Sequence, residues 1–180
     1  MSENYAQQSS AKKLNMVFFA AAILVAFIAL CMLFAPAITI VGVERLDGSA
    51  AQYTGWEVSF GFSEYAENGV AQYYTMPSAN MITYFAIIIG IVFSILAYTR
   101  KLGKIAYIIA FIAFAYAALG FVLTTAFTSY GPLHVNMIDG YTTSTFIPYC
   151  ERSGGTIAGI IFSVFAALFH CVAWKASTVK

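Results

Sequence analysis

Of 180 residues, 61% are hydrophobic and only 9% charged, whereas an ordinary soluble domain is about 25% charged. That deficit excludes a water-soluble globular protein. Four uncharged spans take up about half the chain, and the remainder is too short for a separate soluble domain, which needs roughly 50 residues or more.

The chain opens on a polar, Gln- and Ser-rich tail over 1–13, expected to be mobile or to lie on a membrane surface. The first span is expected at about 14–37. Its apolar run, Leu14–Ile40, is much longer than the roughly 7–15 residues of a signal-peptide core. Ala35-Pro36-Ala37 resembles a cleavage site only loosely, and Leu30 before Cys31 is bulky where a lipoprotein site wants a small residue. An uncleaved anchor is the reading.

A first external segment follows, at about 38–77. Ile38–Val43 is β-branched and precedes an Asp47-Gly48 turn. In Trp56–Ser63, apolar Trp56, Val58, Phe60 and Phe62 alternate with Glu57, Ser59, Gly61 and Ser63, the period-two pattern of a half-buried strand. Asn68-Gly69 then introduces a third candidate strand, Val70–Thr75. The expectation is a small antiparallel sheet of three strands over the helix ends, its Trp56 face on the bundle and its Glu57 face in water.

The second span is expected at about 78–98, with Pro77-Ser78 as its start signal, and the third at about 105–128. The turn Thr99–Lys104 between them is short, so the two helices should be antiparallel neighbours. A second external loop, about 129–155, carries Asp139-Gly140 and Gly154-Gly155 turn signals and a candidate strand at Thr142–Ile147. The fourth span is expected at about 156–174. All four prolines fall at helix ends or in loops, so none should kink a span.

Lipid tails are as apolar as Leu, so helices associate there through close packing and buried polar contacts. Small residues recur at steps of four and three: Ala22, Ala26 and Ala29 in span 1, and Gly90, Ser94 and Ala97 in span 2. Span 3 repeats the pattern with Ala106, Ala110, Ala113, Ala117 and Gly120, and span 4 with Gly159, Ser163, Ala166 and Ala173. Such a spacing averages about 3.5 residues per turn and implies left-handed packing. The fold class expected is therefore an all-α membrane protein, a left-handed four-helix transmembrane bundle with a small extracellular antiparallel β-sheet.

Two polar residues coincide with these stripes, Asn15 and His170. They are expected to hydrogen-bond to each other or to nearby backbone near the cytoplasmic end. A lone His lacks the partners a metal site requires. His134 reads as a solvated loop residue. Glu64 and Glu67 read as a solvated acidic face, since their spacing is not that of a calcium loop. Cys31 and Cys171 fall in spans and Cys150 alone in an external loop, which excludes an internal disulfide outside.

No Asp, Glu, Lys or Arg falls inside a span, so a proton relay lacks its usual carriers. No catalytic constellation, phosphate loop or metal-ligand spacing is present. No enzyme, cofactor or nucleic-acid partner is expected; the partners expected are the lipid bilayer and either the chain itself or another membrane protein.

Orientation follows from charge. Lys12, Lys13, Arg100, Lys101, Lys104, Lys175 and Lys180 share one side with Glu3 alone. The other side holds Glu44, Asp47, Glu57, Glu64, Glu67, Asp139 and Glu151 against Arg45 and Arg152. Basic excess in short loops marks the cytoplasmic face, which gives a multi-pass cell-membrane protein with both termini cytoplasmic.

This layout of internal termini, a long first loop with strands and an aromatic motif, and a shorter second loop resembles the claudin-like tetraspan architecture. Thr54-Gly-Trp56 stands nearest to the claudin Trp-Gly-Leu-Trp motif, and no cysteine pair follows it in that loop. The resemblance implies a fold and carries over no functional residue. The functional expectation is a structural or interaction protein that presents its external sheet for self-association or as an accessory subunit. The alternative is an oligomeric channel between subunits, lined by Asn15, Ser163, Thr124 and Thr125.

Overall fold

A single proline sets the first boundary. In the computed structural model, helix α1 (Ser2–Cys31) tightens into a 3-10 turn at Met32–Phe34 and stops. Ala35, with φ −92° and ψ 157°, is extended, because the ring of Pro36 disfavours helical geometry in the residue before it. The first span thus ends short of the expected Ala37. Its start differs too: the expected tail is helical from Ser2. Ala6, Gln7, Gln8, Ala11, Lys12 and Lys13 are good helix formers, and adding turns to an existing helix avoids the cost of nucleation.

The structure describes residues 2–44, 50–65, 71–74, 78–99, 102–130, 134–138, 141–145 and 150–178, with side chains over 8–41, 50–61, 79–99, 102–128 and 150–178. The expected turns at Asp47-Gly48, Asn68-Gly69 and Asp139-Gly140, and the start signal Pro77, lie outside the described residues.

After α1 come β1 (Pro36–Glu44), β2 (Ala50–Thr54), a short helix α2 (Gly55–Phe60), β3 (Phe62–Tyr65) and β4 (Ala71–Tyr74). Helices α3 (Ser78–Tyr98) and α4 (Gly103–Tyr130) follow, then β5 (His134–Ile138), β6 (Tyr141–Thr145), β7 (Cys150–Arg152) and α5 (Gly154–Ser177). Among the described residues four stretches are long and apolar enough to cross a bilayer: Gln8–Phe34, Ala79–Tyr98, Gly103–Thr128 and Gly154–Ser177. Gly103, at φ +59°, takes the left-handed conformation at the tight turn into α4, which glycine adopts without steric cost.

Three expectations are corrected here. Trp56–Ser63 is not one strand. Its first part is α2, nucleated by a capping box in which Thr54 Oγ1 accepts from the Glu57 amide and the Glu57 carboxylate accepts from the Thr54 amide at 2.7 Å. This Thr-x-x-Glu signature overrides the period-two alternation, and Gly61, at φ 93°, ends the helix. The expected three strands do not form one sheet either. The three-stranded antiparallel sheet has the order β2-β1-β7, and a second sheet has the order β3-β4-β5-β6. Finally, Gly154-Gly155 is the first turn of α5 rather than a loop turn.

Both sheets join the two loops. β1 pairs with β7 through Ile38–Arg152, Thr39–Glu151 and Ile40–Cys150. β4 pairs with β5 through Gln72–Asn136, Tyr73–Val135 and Tyr74–His134. The start of α5 is sewn to β1: the Ala37 carbonyl accepts from the Ser153 amide at 2.9 Å and from Thr156 Oγ1 at 2.6 Å. Arg152 on β7 reaches α4, its Nη2 donating to the Val122 carbonyl at 2.6 Å. Ala37, Ile38, Ile40, Ala51, Tyr53 and Val58 form a small core of their own at this strand end.

The long helices pack in a ring, α1 on α5, α5 on α4, α4 on α3 and α3 on α1. Their contacts are made by small residues. A Cβ on Gly159 would lie 2.6 Å from the Phe121 ring, one on Gly90 would strike Phe114, and one on Gly120 would strike Thr83. Phe114, Phe121 and Ile87 fill the space so created and are 0%, 1% and 0% exposed. Leu24, Phe27, Ile89, Ile112, Leu119 and Leu168 instead face outward. Small residues inside and large apolar ones outside suit a hydrocarbon solvent, where close backbone approach and not apolar burial drives association.

Candidate functional site

Polar side chains on the four long helices form hydrogen bonds that tie one helix to another, buried on α3, α4 and α5 and half-buried on α1. On α5, His170 is 1% exposed. Its Nε2 lies 3.1 Å from the Tyr107 carbonyl of α4 and its Nδ1 3.1 Å from Ser94 Oγ of α3. A carbonyl can only accept, so Nε2 carries the proton and Nδ1 accepts from the Ser94 hydroxyl. The imidazole is walled by Tyr107, with ring centroids 5.3 Å apart, and by the edge of Phe114 at 6.0 Å. Trp174 stacks on Tyr107 with ring centroids 6.0 Å apart.

Asn15 on α1 donates through Nδ2 to the Ala173 carbonyl of α5 at 2.6 Å. Asn15 and His170 therefore bond to backbone of a neighbouring helix, one turn apart along α5, and no hydrogen bond joins them to each other. With both ring nitrogens of His170 occupied, it has no lone pair to offer a metal ion. Among the described residues no group of three or more His, Cys, Asp or Glu is arranged to hold one.

A second polar cluster lies at the strand end, formed by residues that no sequence motif marks. Asn80, in the first turn of α3, is 2% exposed. Its Nδ2 donates to Thr128 Oγ1 of α4 at 3.2 Å and to the Val58 carbonyl of α2 at 3.4 Å. Thr128 has already given its hydroxyl proton to the Thr124 carbonyl at 2.8 Å, so the amide must present nitrogen to it. Asn80 Oδ1, Ser59 Oγ and, on α5, Ser163 Oγ are buried without a hydrogen-bond partner.

Of the residues expected to share an interaction face, Trp56 and Phe60 lie on one side of α2 and Val58 on the other. Trp56 and Phe60, four apart on α2, point outward and are 49% and 50% exposed, whereas Val58 is 1% exposed in the strand-end core. Phe62 starts β3, and its side chain lies outside the described residues, as do those of His134, Glu64 and Glu67. Trp56 stacks on Phe34, with ring centroids 6.3 Å apart, and packs against Phe60 at 4.4 Å. The face expected to cover the bundle is an exposed aromatic patch beside it.

The packing residues Ala22, Ala26, Gly90, Ser94, Ala113, Ala117, Gly120, Gly159 and Ser163 are all buried between helices. Of the residues considered for a pore lining, Ser163 and Thr124 are buried within one bundle, and Asn15 and Thr125 are half-buried. Cys31, Cys150 and Cys171 form no disulfide.

No protein-family model, curated protein or solved structure matches this chain. The four long apolar helices and the three-stranded antiparallel sheet fit a tetraspan topology.

Proposed function

We propose that this chain is a structural membrane protein that works by assembly. In this reading the left-handed bundle anchors a strand-bearing module outside the cell membrane, both termini being cytoplasmic. The module serves contacts with further copies of the chain or with a larger membrane complex, in the general manner of claudin-like tetraspans. The observation that carries the reading is the pairing of strands from different loops, β1 with β7 and β4 with β5. Loops that merely connected spans would not need to be knitted into shared sheets. Among the described residues β3 and β6 are the outer strands of the four-stranded sheet, the positions at which a partner's strand would add.

The polar residues of the bundle fit the same reading. Asn15, Asn80, Ser94 and His170 spend their hydrogen bonds between helices, which holds the anchor together. Mass measurement of the full chain in mild detergent and in lipid nanodiscs tests the proposal. A fixed copy number above one is expected. A chain that stays monomeric in both, and that cross-links to no neighbour in its native membrane, overturns it.

A further inference from the structure

The patch of Phe34, Trp56 and Phe60 has a definite height on the molecule. Phe34 is the last residue of the 27-residue membrane-crossing stretch Gln8–Phe34. At 1.5 Å per residue that stretch is about 40 Å long, the thickness of a hydrocarbon core plus its headgroup layers. With the stretch centred on the hydrocarbon core, its final residue falls in a headgroup layer. Trp56 stacks on Phe34, and the Gly55 amide at the start of α2 donates to the Ala35 carbonyl at 3.1 Å. Both contacts hold α2 at that level.

The patch also continues a surface that faces lipid. Val17, Ala20, Leu24, Phe27, Cys31 and Phe34 are exposed along α1 at steps of three and four, a single stripe on one side of the helix. Trp56 and Phe60 extend that stripe beyond the helix end. The other side of α2 is turned inward through Val58 and Ser59. The one charge on α2, Glu57, has its carboxylate engaged by the Thr54 amide and hydroxyl at 2.7 and 2.8 Å.

We propose that α2 together with Phe34 is an interfacial anchor, whose aromatic face is occupied by lipid at the boundary between acyl chains and headgroups. An apolar body with one polar edge is what places tryptophan at this boundary. A short helix whose Gly55 and Glu57 amides are already bonded, to the Ala35 carbonyl and to Thr54 Oγ1, can lie there with fewer stranded backbone donors. The anchor would fix the tilt of the strand-bearing module relative to the membrane plane. It assigns Trp56 to lipid and leaves contacts with other proteins to the sheets.

The chain contains two tryptophans, Trp56 and Trp174, so fluorescence can read this directly. The full chain carrying Trp174→Phe is reconstituted into phosphatidylcholine vesicles with bromine placed either near the headgroup or near the acyl-chain end. The expected result is blue-shifted emission, quenched at least about twofold more by the shallow bromine than by the deep one, with weak quenching by aqueous iodide. Strong iodide quenching with water-like emission overturns the proposal. So does blue-shifted emission that neither bromine quenches, which would put protein over the patch. Should Trp174→Phe disturb folding, the difference between the unsubstituted chain and Trp56→Phe supplies the same readout with Trp174 intact.

Discussion

His170 on α5 and Ser94 on α3 meet through Nδ1 and Oγ at 3.1 Å, the centre of a three-helix junction that the Tyr107 carbonyl completes from α4. Hydrogen bonds between membrane helices contribute on average about 0.6 kcal/mol and at most about 1.7, and a buried ring adds its packing. His170→Ala should therefore lower the unfolding free energy by about 2 kcal/mol. His170→Gln, whose amide can donate to the Tyr107 carbonyl, should recover part of the loss. Steric-trap or detergent-titration unfolding in bicelles reads both; equal stability of His170→Ala and the unsubstituted chain would remove the junction from the account of the bundle.

Gly159 and Gly154 lie on the same helix and should answer the same substitution in opposite ways. A Cβ at 159 lands 2.6 Å from a Phe121 ring that is 1% exposed and has nowhere to go, while a Cβ at 154 meets no atom within 4 Å. Gly159→Ala should destabilise by about 1–3 kcal/mol. Gly154→Ala should stay within about 0.5 kcal/mol of the unsubstituted chain. Parallel thermal unfolding in detergent is sufficient, and comparable losses at the two sites would contradict the packing described.

The capping box of α2 predicts a local effect. Thr54→Ala removes the side-chain acceptor of the Glu57 amide and one donor to the Glu57 carboxylate, a loss of about 1 kcal/mol for a helix of this kind. Hydrogen exchange at residues 55–60 should speed up by roughly fivefold. Exchange in α4, α5 and the part of α3 beyond its first turn should not change, since only the first turn of α3 bonds to α2, through Asn80.

Orientation is tested by labelling. In a cysteine-free background, Gln52→Cys on β2 and Lys12→Cys on α1 both place a thiol at an exposed position. A membrane-impermeant maleimide applied to intact cells should label Gln52→Cys at once and Lys12→Cys only after permeabilisation. The reverse order would invert the proposed topology, and simultaneous labelling would deny that the two ends lie on opposite sides.

The long helices are legible because each is a run long and apolar enough to cross a bilayer, with few residues in it that can interrupt a helix. Pro36 was in view, and its effect on Ala35 could have moved the end of the first span inward. The region around Trp56 misled for a definite reason. Over eight residues, alternation of apolar and polar side chains looks like a strand, while a six-residue helix is too short to show its own period. The decisive signs were local: Thr54 three residues before Glu57, and Gly61 at the exit. Asn80 carries no local sign of burial, because a polar residue at the edge of a span ordinarily reads as solvated; its burial depends on α2 folding over it, 22 positions away. The union of β1 with β7 had no local sign at all. Thr39 and Ser153, hydroxyls 2.7 Å apart, are separated by 114 positions, and no short stretch of sequence encodes such a pairing.

That long-range union has a consequence for biogenesis. β1 is the middle strand of its sheet, covered on one edge by a neighbour translated soon after it and on the other by a strand that leaves the ribosome only when most of the chain has been made. Until residue 152 emerges, that second edge is an open template for wrong partners. A nascent chain cut short anywhere before it carries a visible mark of incompleteness, which a quality-control protease could recognise without inspecting the membrane helices.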